Sequence, residues 1–209
     1  MPQLVLISDT HRNHRQVAIP ECDLLIHAGD FCSFEKEDRK VLADVDDWFG
    51  SLPAKEILCV GGNHDFLLDS GEFSFQIATL LQDQLVKRCG LSVYGSPWIP
   101  NLPNFAYHRP PEELAERWKA IPEGIDILVT HTAPHGILDF PSSHFVHLGC
   151  ELLKAELQRI QPRLHVFGHI HGSHGQHEEN GTHFVNASIV GGRNLEVRNT
   201  ATRLEFPVK

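Results

Sequence analysis

Five short apolar runs, several of them rich in β-branched residues, each end in a compact polar cluster, and this repetition constrains the chain more than any other feature. Leu4 to Ile7 leads into Ser8-Asp9-Thr10-His11, and Leu24 to Ile26 leads into His27-Ala28-Gly29-Asp30. Ile57 to Val60 leads into Gly61-Gly62-Asn63-His64-Asp65. Ile127 to Thr130 is followed by His131, and Leu164 to Phe167 by Gly168-His169-Ile170-His171. Uninterrupted apolar runs of this length are what sheet strands buried on both faces look like. Such strands need covering layers on each side, so the chain reads as α/β with a mixed sheet or a sandwich of two sheets.

Helical spacing supplies the covers. Between Glu35 and Gly50, residues Val41, Leu42, Val45, Trp48 and Phe49 share one helix face, with Gly50 as the stop. Pro111 suits a first helical turn, with Glu112 and Glu113 at the positive end of the dipole, and this helix stops near Pro122. A third helix spans about Cys150 to Ile160, ahead of Pro162. Leu85 to Val93 reads as a hairpin turning at Cys89-Gly90, and Thr182 to Asn186 and Thr202 to Phe206 as further strands. The connections from Ser96 to Pro111 and from Thr132 to Leu148 are long, a property of functional loops. No repeat or linker divides the sequence, so one domain over residues 1–209 is expected.

In open α/β sheets, ligands bind beyond the strand C-termini. The five clusters place Asp9, Asp30, Asn63, His11, His64, His131, His169 and His171 there. Imidazole and carboxylate suit divalent transition metals (Mn, Fe, Zn, Ni or Co), and no Cys sits in the clusters to make a thiolate site. Asp9-x-His11 and His169-x-His171 each direct two side chains to one side of an extended segment. Seven candidate ligands exceed what one four-coordinate ion needs, so two metals sharing Asp30 is the economical arrangement. Two such ions clamp both oxygens of an in-line phosphoryl displacement.

Composition narrows the partners. A net charge of −9 argues against duplex nucleic acid, which demands a basic footprint. The five cysteines are odd in number, scattered and without a C-x-x-C pair, which fits a reducing, cytoplasmic setting. Neither a secretory leader nor an apolar run long enough for a membrane span is read from the sequence. Fifteen histidines are more than the five candidates in these clusters account for.

The ordered pattern D-x-H, G-D, G-N-H-D, H, G-H-x-H resembles the calcineurin-like metallophosphoesterase superfamily. It is most similar to the metallophosphoesterase-domain-containing (MPPED-like) phosphodiesterases, on Ile7 to His11, Asn101-Leu102-Pro103, Ile121 to Leu128 and Leu164 to Gly168. Some animal members of that group lack the first His of the last motif, whereas His169 is present here. The resemblance implies a four-layer sandwich of two mixed β-sheets flanked by helices, with a dinuclear site at the strand C-terminal ends. It implies Asp9, His11 and His171 on one metal, Asn63, His131 and His169 on the other, and Asp30 bridging. His64 would be a catalytic group above the site, with Asp65 expected to orient its ring, fix its tautomer and favour its protonated form.

The implied activity is a phosphodiesterase on small phosphodiesters such as cyclic nucleotides, through in-line attack of a metal-bridging hydroxide, with Mn or Fe as metals. Loops must supply the substrate contacts, and Arg12, Phe105, Tyr107, His108 and His135 are the candidates. A phosphomonoesterase or phosphoprotein phosphatase on the same site, a nuclease disfavoured by the charge, and a non-catalytic protein-binding scaffold are the competing readings.

Overall fold

In a computed structural model that describes residues 1–34, 38–141 and 146–208, the strands form two large mixed sheets. The first holds β1 (Gln3–Ile7), β2 (Cys22–His27), β3 (Ala54–Cys59) and β4 (Thr79–Leu80), all parallel, with β13 (Thr202–Glu205) antiparallel on the edge beside β1. The second runs β5 (Gln84–Arg88), β6 (Leu91–Ser96), β7 (Ile127–Thr130), β8 (Leu164–Phe167), β10 (Thr182–Asn186) and β9 (Gly175–Glu179). Its four inner strands are parallel and its two edges antiparallel. A short ribbon pairs β11 (Val190–Gly191) with β12 (Glu196–Val197).

The apolar runs are continuous because each strand buries both faces. Leu4, Leu6, Leu24 and Ile26 from one sheet share a core with Val93, Ile127, Val129, Leu164 and Val166 from the other. Alternate residues on the same strands (Val5, Ile7, Leu25, Ile57, Leu128, Phe167) belong to a second core that includes the helices. That split follows the two-residue period of a strand. Helix α1 (Arg39–Ser51) contributes Val41, Leu42, Val45, Trp48 and Phe49 to it. From α3 (Pro111–Lys119) and α4 (Glu151–Ile160) come Leu114, Trp118, Leu153, Leu157 and Ile160. The result is helix, sheet, sheet, helix, the expected four-layer sandwich.

Most expected elements form where the spacing predicts. The hairpin turns at Cys89 and Gly90, whose φ angles of 52° and 78° are the left-handed pair that a two-residue turn requires. Glu35, expected to open the first helix, lies outside the described residues. Strands β4 and β9, the β11–β12 ribbon and the four-residue helix α2 (Phe66–Asp69) were not anticipated. β9 is an exposed edge strand, and too few apolar residues line it to give a strand signal. No helix among the described residues is long and apolar enough to cross a membrane.

Candidate metal centre

The parallel strands β1, β2, β3, β7 and β8 all deliver their C-terminal ends to one crevice. At three of those ends the chain turns through a left-handed residue that is not glycine: Asp9 (φ 54°), Asp30 (φ 59°) and His169 (φ 66°). Such conformations cost about 1–3 kcal/mol each and persist where the surrounding structure imposes them. Two backbone hydrogen bonds brace the first two of these. The N–H of Asp9 donates to Gly29 O at 2.9 Å, and that of His11 to Asp30 O at 3.1 Å, which locks the first two motif loops together. An isolated bridge between Ser8 and Ser188 carries the connection to the loop after β10.

Two ligand-bearing groups result, with Asp30 common to both. Asp9, His11, Asp30 and His171 offer donor atoms within 4.8 Å of one another, and so do Asp30, His131 and His169. Oδ2 of Asp30 stands 3.5 Å from His11 Nε2 and 3.4 Å from His131 Nε2. His171 Nε2 lies 3.2 Å from Asp9 Oδ1 and 3.2 Å from His11 Nε2. Asn63 Oδ1 joins the second group, 2.9 Å from His131 Nε2.

The donor set is arranged to bind cations. His11 Nδ1 donates to Cys32 O at 2.7 Å, and His131 Nδ1 to Ala28 O at 2.8 Å. Each bond fixes the tautomer so that the Nε2 lone pair faces the cluster, the usual way a protein orients a ligating imidazole. Asp9 is held by the N–H of His169 (3.0 and 3.1 Å to its two oxygens) and by Ser188 Oγ, which donates to Oδ2 at 2.7 Å. Burial alone would raise both carboxyls. The neighbouring imidazoles reverse that: His171 above all holds Asp9, and His131 holds Asp30, well below the usual range. Reciprocally, Asp30 lifts His131 to about 9 and Asp9 raises His171, each against its own burial. Burial dominates at His169, lowering it to about 3 and keeping the ring a neutral donor. The cluster therefore draws in positive charge and presents oxygen and nitrogen, a chemistry that fits two divalent ions sharing one carboxylate. Cys32 is beside the site, but burial pushes its thiol up, so it offers no thiolate.

His64 sits at the rim. Its backbone N–H donates to Asp30 Oδ1 at 2.9 Å, and its ring packs edge-on to His11, with centroids 5.1 Å apart. Its Nδ1 donates to Ser33 O at 2.7 Å, which leaves Nε2 for other contacts. Asp65 does not orient this ring, contrary to expectation. Asp65 precedes α2, and its side chain turns away from that of His64. Its oxygens accept the backbone N–H groups of Asp30, Phe31, Cys32 and Gly62 at 2.8–3.0 Å. A carbonyl thus takes the place intended for the carboxylate, and Asp65 instead ties the Asp30 loop to the Asn63 loop.

The loop candidates divide. Phe105 reaches the site, its ring edge-on to His64 at 5.4 Å. His135 lines a cavity that includes His169. Arg12 sends its guanidinium to within 3.8 Å of Asp38. Tyr107 is not a substrate residue: it is fully buried, packed on Trp98, and a Cβ on Gly61 would lie 2.2 Å from its ring. Its bulk supports the Gly61-Gly62 loop from beneath. His108 stands in the bridge to Ile99, and no hydrogen bond or ring contact joins its side chain to the ligand set among the described residues.

Four residues escaped the sequence reading. Phe34, 73% exposed, packs edge-on to His64 at 5.1 Å, opposite in kind to a core aromatic. Ser188 holds Asp9. His27 and His165 are buried and reach the Thr neighbours of the motifs, Thr10 at 3.1 Å and Thr130 at 2.9 Å. Only the high histidine count hinted at the last two.

The chain matches the calcineurin-like phosphoesterase superfamily domain over residues 3–207. It is 35% identical over 217 residues to metallophosphoesterase domain-containing protein 1 of Homo sapiens, a match covering 90% of this chain and 66% of that protein. A UPF0046 protein of Caenorhabditis elegans is 37% identical over 206 residues, covering 89% and 69% respectively. The chain thus spans about two thirds of the length of these relatives. One crystal structure superposes with a TM-score of 0.67 at 18% identity, covering 89% of this chain and 90% of that one. GAP50, described as the anchor in the inner membrane complex of Plasmodium, gives 0.51 at 12% identity over 95% and 76%. At these identities the two structures show a shared fold.

Proposed function

The chain belongs to the calcineurin-like phosphoesterase superfamily, and we propose on that premise that it is a dinuclear metal-dependent phosphodiesterase acting on small diesters such as cyclic nucleotides. The observation that carries this reading is the single carboxylate, Asp30, common to two groups of buried and half-buried ligands, with the His64 backbone N–H hydrogen-bonded to its other oxygen. Asp9, His11 and His171 would hold one ion, and Asn63, His131 and His169 the other, with Asp30 between them. When bound, the pair would activate water near neutral pH and neutralise charge on the phosphoryl oxygens.

The protein's own groups do the rest. Ser33 O accepts a hydrogen bond from Nδ1 of His64, so Nε2 is the ring atom free to exchange a proton with the leaving oxygen. Asp65 holds the loops of Asp30 and Asn63 in register, which keeps the ligands at fixed separation without reorganisation during the reaction. Phe34 and Phe105 pack edge-on to the His64 ring and limit the orientations it can adopt. The set of four imidazoles, two carboxylates and one amide supports Mn or Fe as occupants, with Zn, Ni or Co as alternatives. Cytoplasmic residence belongs to the same proposal, supported by five unpaired cysteines.

The test is one assay panel. Protein stripped of metal and reloaded with Mn is offered 2′,3′- and 3′,5′-cyclic nucleotides, bis(p-nitrophenyl) phosphate and p-nitrophenyl phosphate. Turnover of the diesters is expected. Turnover of the monoester alone would replace the diester reading with a phosphomonoesterase, and no turnover with any metal would favour a scaffold.

A further inference from the structure

A cavity of about 640 Å³ opens beside the ligand set and includes His169 in its wall. Leu102, Leu114, Leu148 and Leu152 make its apolar side, and His135 and His147 supply polar atoms. Volume, apolar walls and a small number of placed polar groups are the properties of a small-molecule site. The connection through His169 joins it to the place where a phosphoryl group would be held.

His147 is held in a defined position. Its Nδ1 donates to Asp139 Oδ1 at 2.6 Å. Asp139 is only 1% exposed and also accepts the N–H groups of Gly136 at 3.0 Å and Gly149 at 2.9 Å. Three donors converge on one buried carboxylate, so the imidazole is anchored by Nδ1 and its Nε2 is left for the cavity. The ring also packs against His135 and Phe140, each with centroids 5.0 Å from its own. The imidazole is itself 43% exposed, and its bond to the buried carboxylate settles which ring nitrogen is free. His147 thus presents an oriented hydrogen-bonding group at an apolar pocket.

We propose that this cavity is the subsite for the organic group of the substrate and takes a flat heteroaromatic ring of nucleobase type. In it His147 Nε2 contacts a polar edge of the ring, and Asp139 acts as its positioning residue. The inference deepens the phosphodiesterase reading and rests on it for the identity of the reacting group. The aliphatic side chains cover the ring faces, which carry the apolar area of a base. The His147 imidazole meets the ring edge, where a base carries its donors and acceptors.

Adenosine tests the subsite without calling on the metals, since it has no phosphate. Calorimetric titration of the Mn-loaded full chain with adenosine should give binding. Leu152→Trp fills the cavity from a residue that is 37% exposed, so the fold tolerates the larger ring, and it should weaken that binding by at least about tenfold. His147→Gln and Asp139→Asn should raise KM for 2′,3′-cyclic AMP by roughly five- to tenfold, with the loss in KM rather than kcat and with Mn stoichiometry retained. A merely structural role for Asp139 would lower Mn content and kcat together, and that result overturns the assignment. Adenosine that fails to bind, or binds Leu152→Trp equally well, overturns the subsite even if diesters are hydrolysed. Adenosine lost on Leu152→Trp, with no phosphate ester turned over, would sink the phosphodiesterase reading and leave the subsite standing.

Discussion

The backbone N–H of His64 donates to Oδ1 of Asp30 at 2.9 Å, while Oδ2 of the same carboxylate faces His11 at 3.5 Å and His131 at 3.4 Å. The residue assigned to proton transfer is thus fixed to the residue assigned to bridge the metals through its main chain, and its ring is independent of that link. The two roles separate under substitution. In His64→Ala the N–H to Asp30 survives, so two metals should remain bound while kcat falls about 10²-fold or more. Asp30→Ala should lose metal and activity together. Metal analysis beside steady-state rates checks both. Loss of metal in His64→Ala would show that His64 is itself a ligand.

Asp65 is a structural tie, and its removal should be felt in stability first. Four backbone donors would be left without an acceptor in a buried place. Burial, with the Asp30 charge, raises the Asp65 carboxyl to about 7, so each bond is set at about 0.5–1.5 kcal/mol, with a further cost for buried donors left unsatisfied. Asp65→Ala should lower the free energy of unfolding by roughly 3 kcal/mol or more in urea titrations. An unchanged urea midpoint with a lowered kcat would restore the expected partnership with the His64 ring.

Two glycines leave room for the ligands. A Cβ at Gly168 would stand 2.1 Å from Ser8 Oγ and 2.2 Å from Asp9 Oδ2, and one at Gly62 would stand 2.3 Å from Asp30 Oδ1. These contacts cannot form, so Gly168→Ala should displace Asp9 and Gly62→Ala should displace Asp30. Overpacking of this kind costs about 1–3 kcal/mol, and each variant should bind Mn more weakly by equilibrium dialysis. Wild-type Mn affinity in both would contradict the geometry.

Burial lowers His27 and His165 to about 3 in the folded chain, against 6.5 for an ordinary histidine. The unfolded chain therefore takes up protons first as the pH falls. Their contribution is fully present above pH 6.5 and is lost progressively from 6.5 towards 3. Each ring adds about 1.4 kcal/mol of lost stability per pH unit within that window. Unfolding titrations from pH 7 to 5 should show a shallower decline in His165→Gln than in wild type. Parallel curves would mean that the ring is protonated in the folded state.

The strand ends were legible because burial on both faces leaves a continuous apolar run, and because the turn after it must place polar groups in the crevice. The ligand set followed from five such ends converging. Asp65 was misread because adjacency to His64 in sequence suggested contact, whereas the turn into α2 sends the two side chains to different neighbours. Tyr107 was misread because a loop residue was taken as accessible, though its ring fills the space under Gly61. Ser188 and His147 act through partners 179 and 8 residues away, and no local pattern marks such pairs.

The central claim is that two metals share Asp30. Anomalous diffraction from crystals of the Mn-loaded protein measures this directly. The account predicts two peaks about 3.5–4 Å apart with the Asp30 carboxylate between them. His11 and His171 should flank one, and His131 and His169 the other. A single peak, or two peaks with Asp30 outside the shared position, would contradict it.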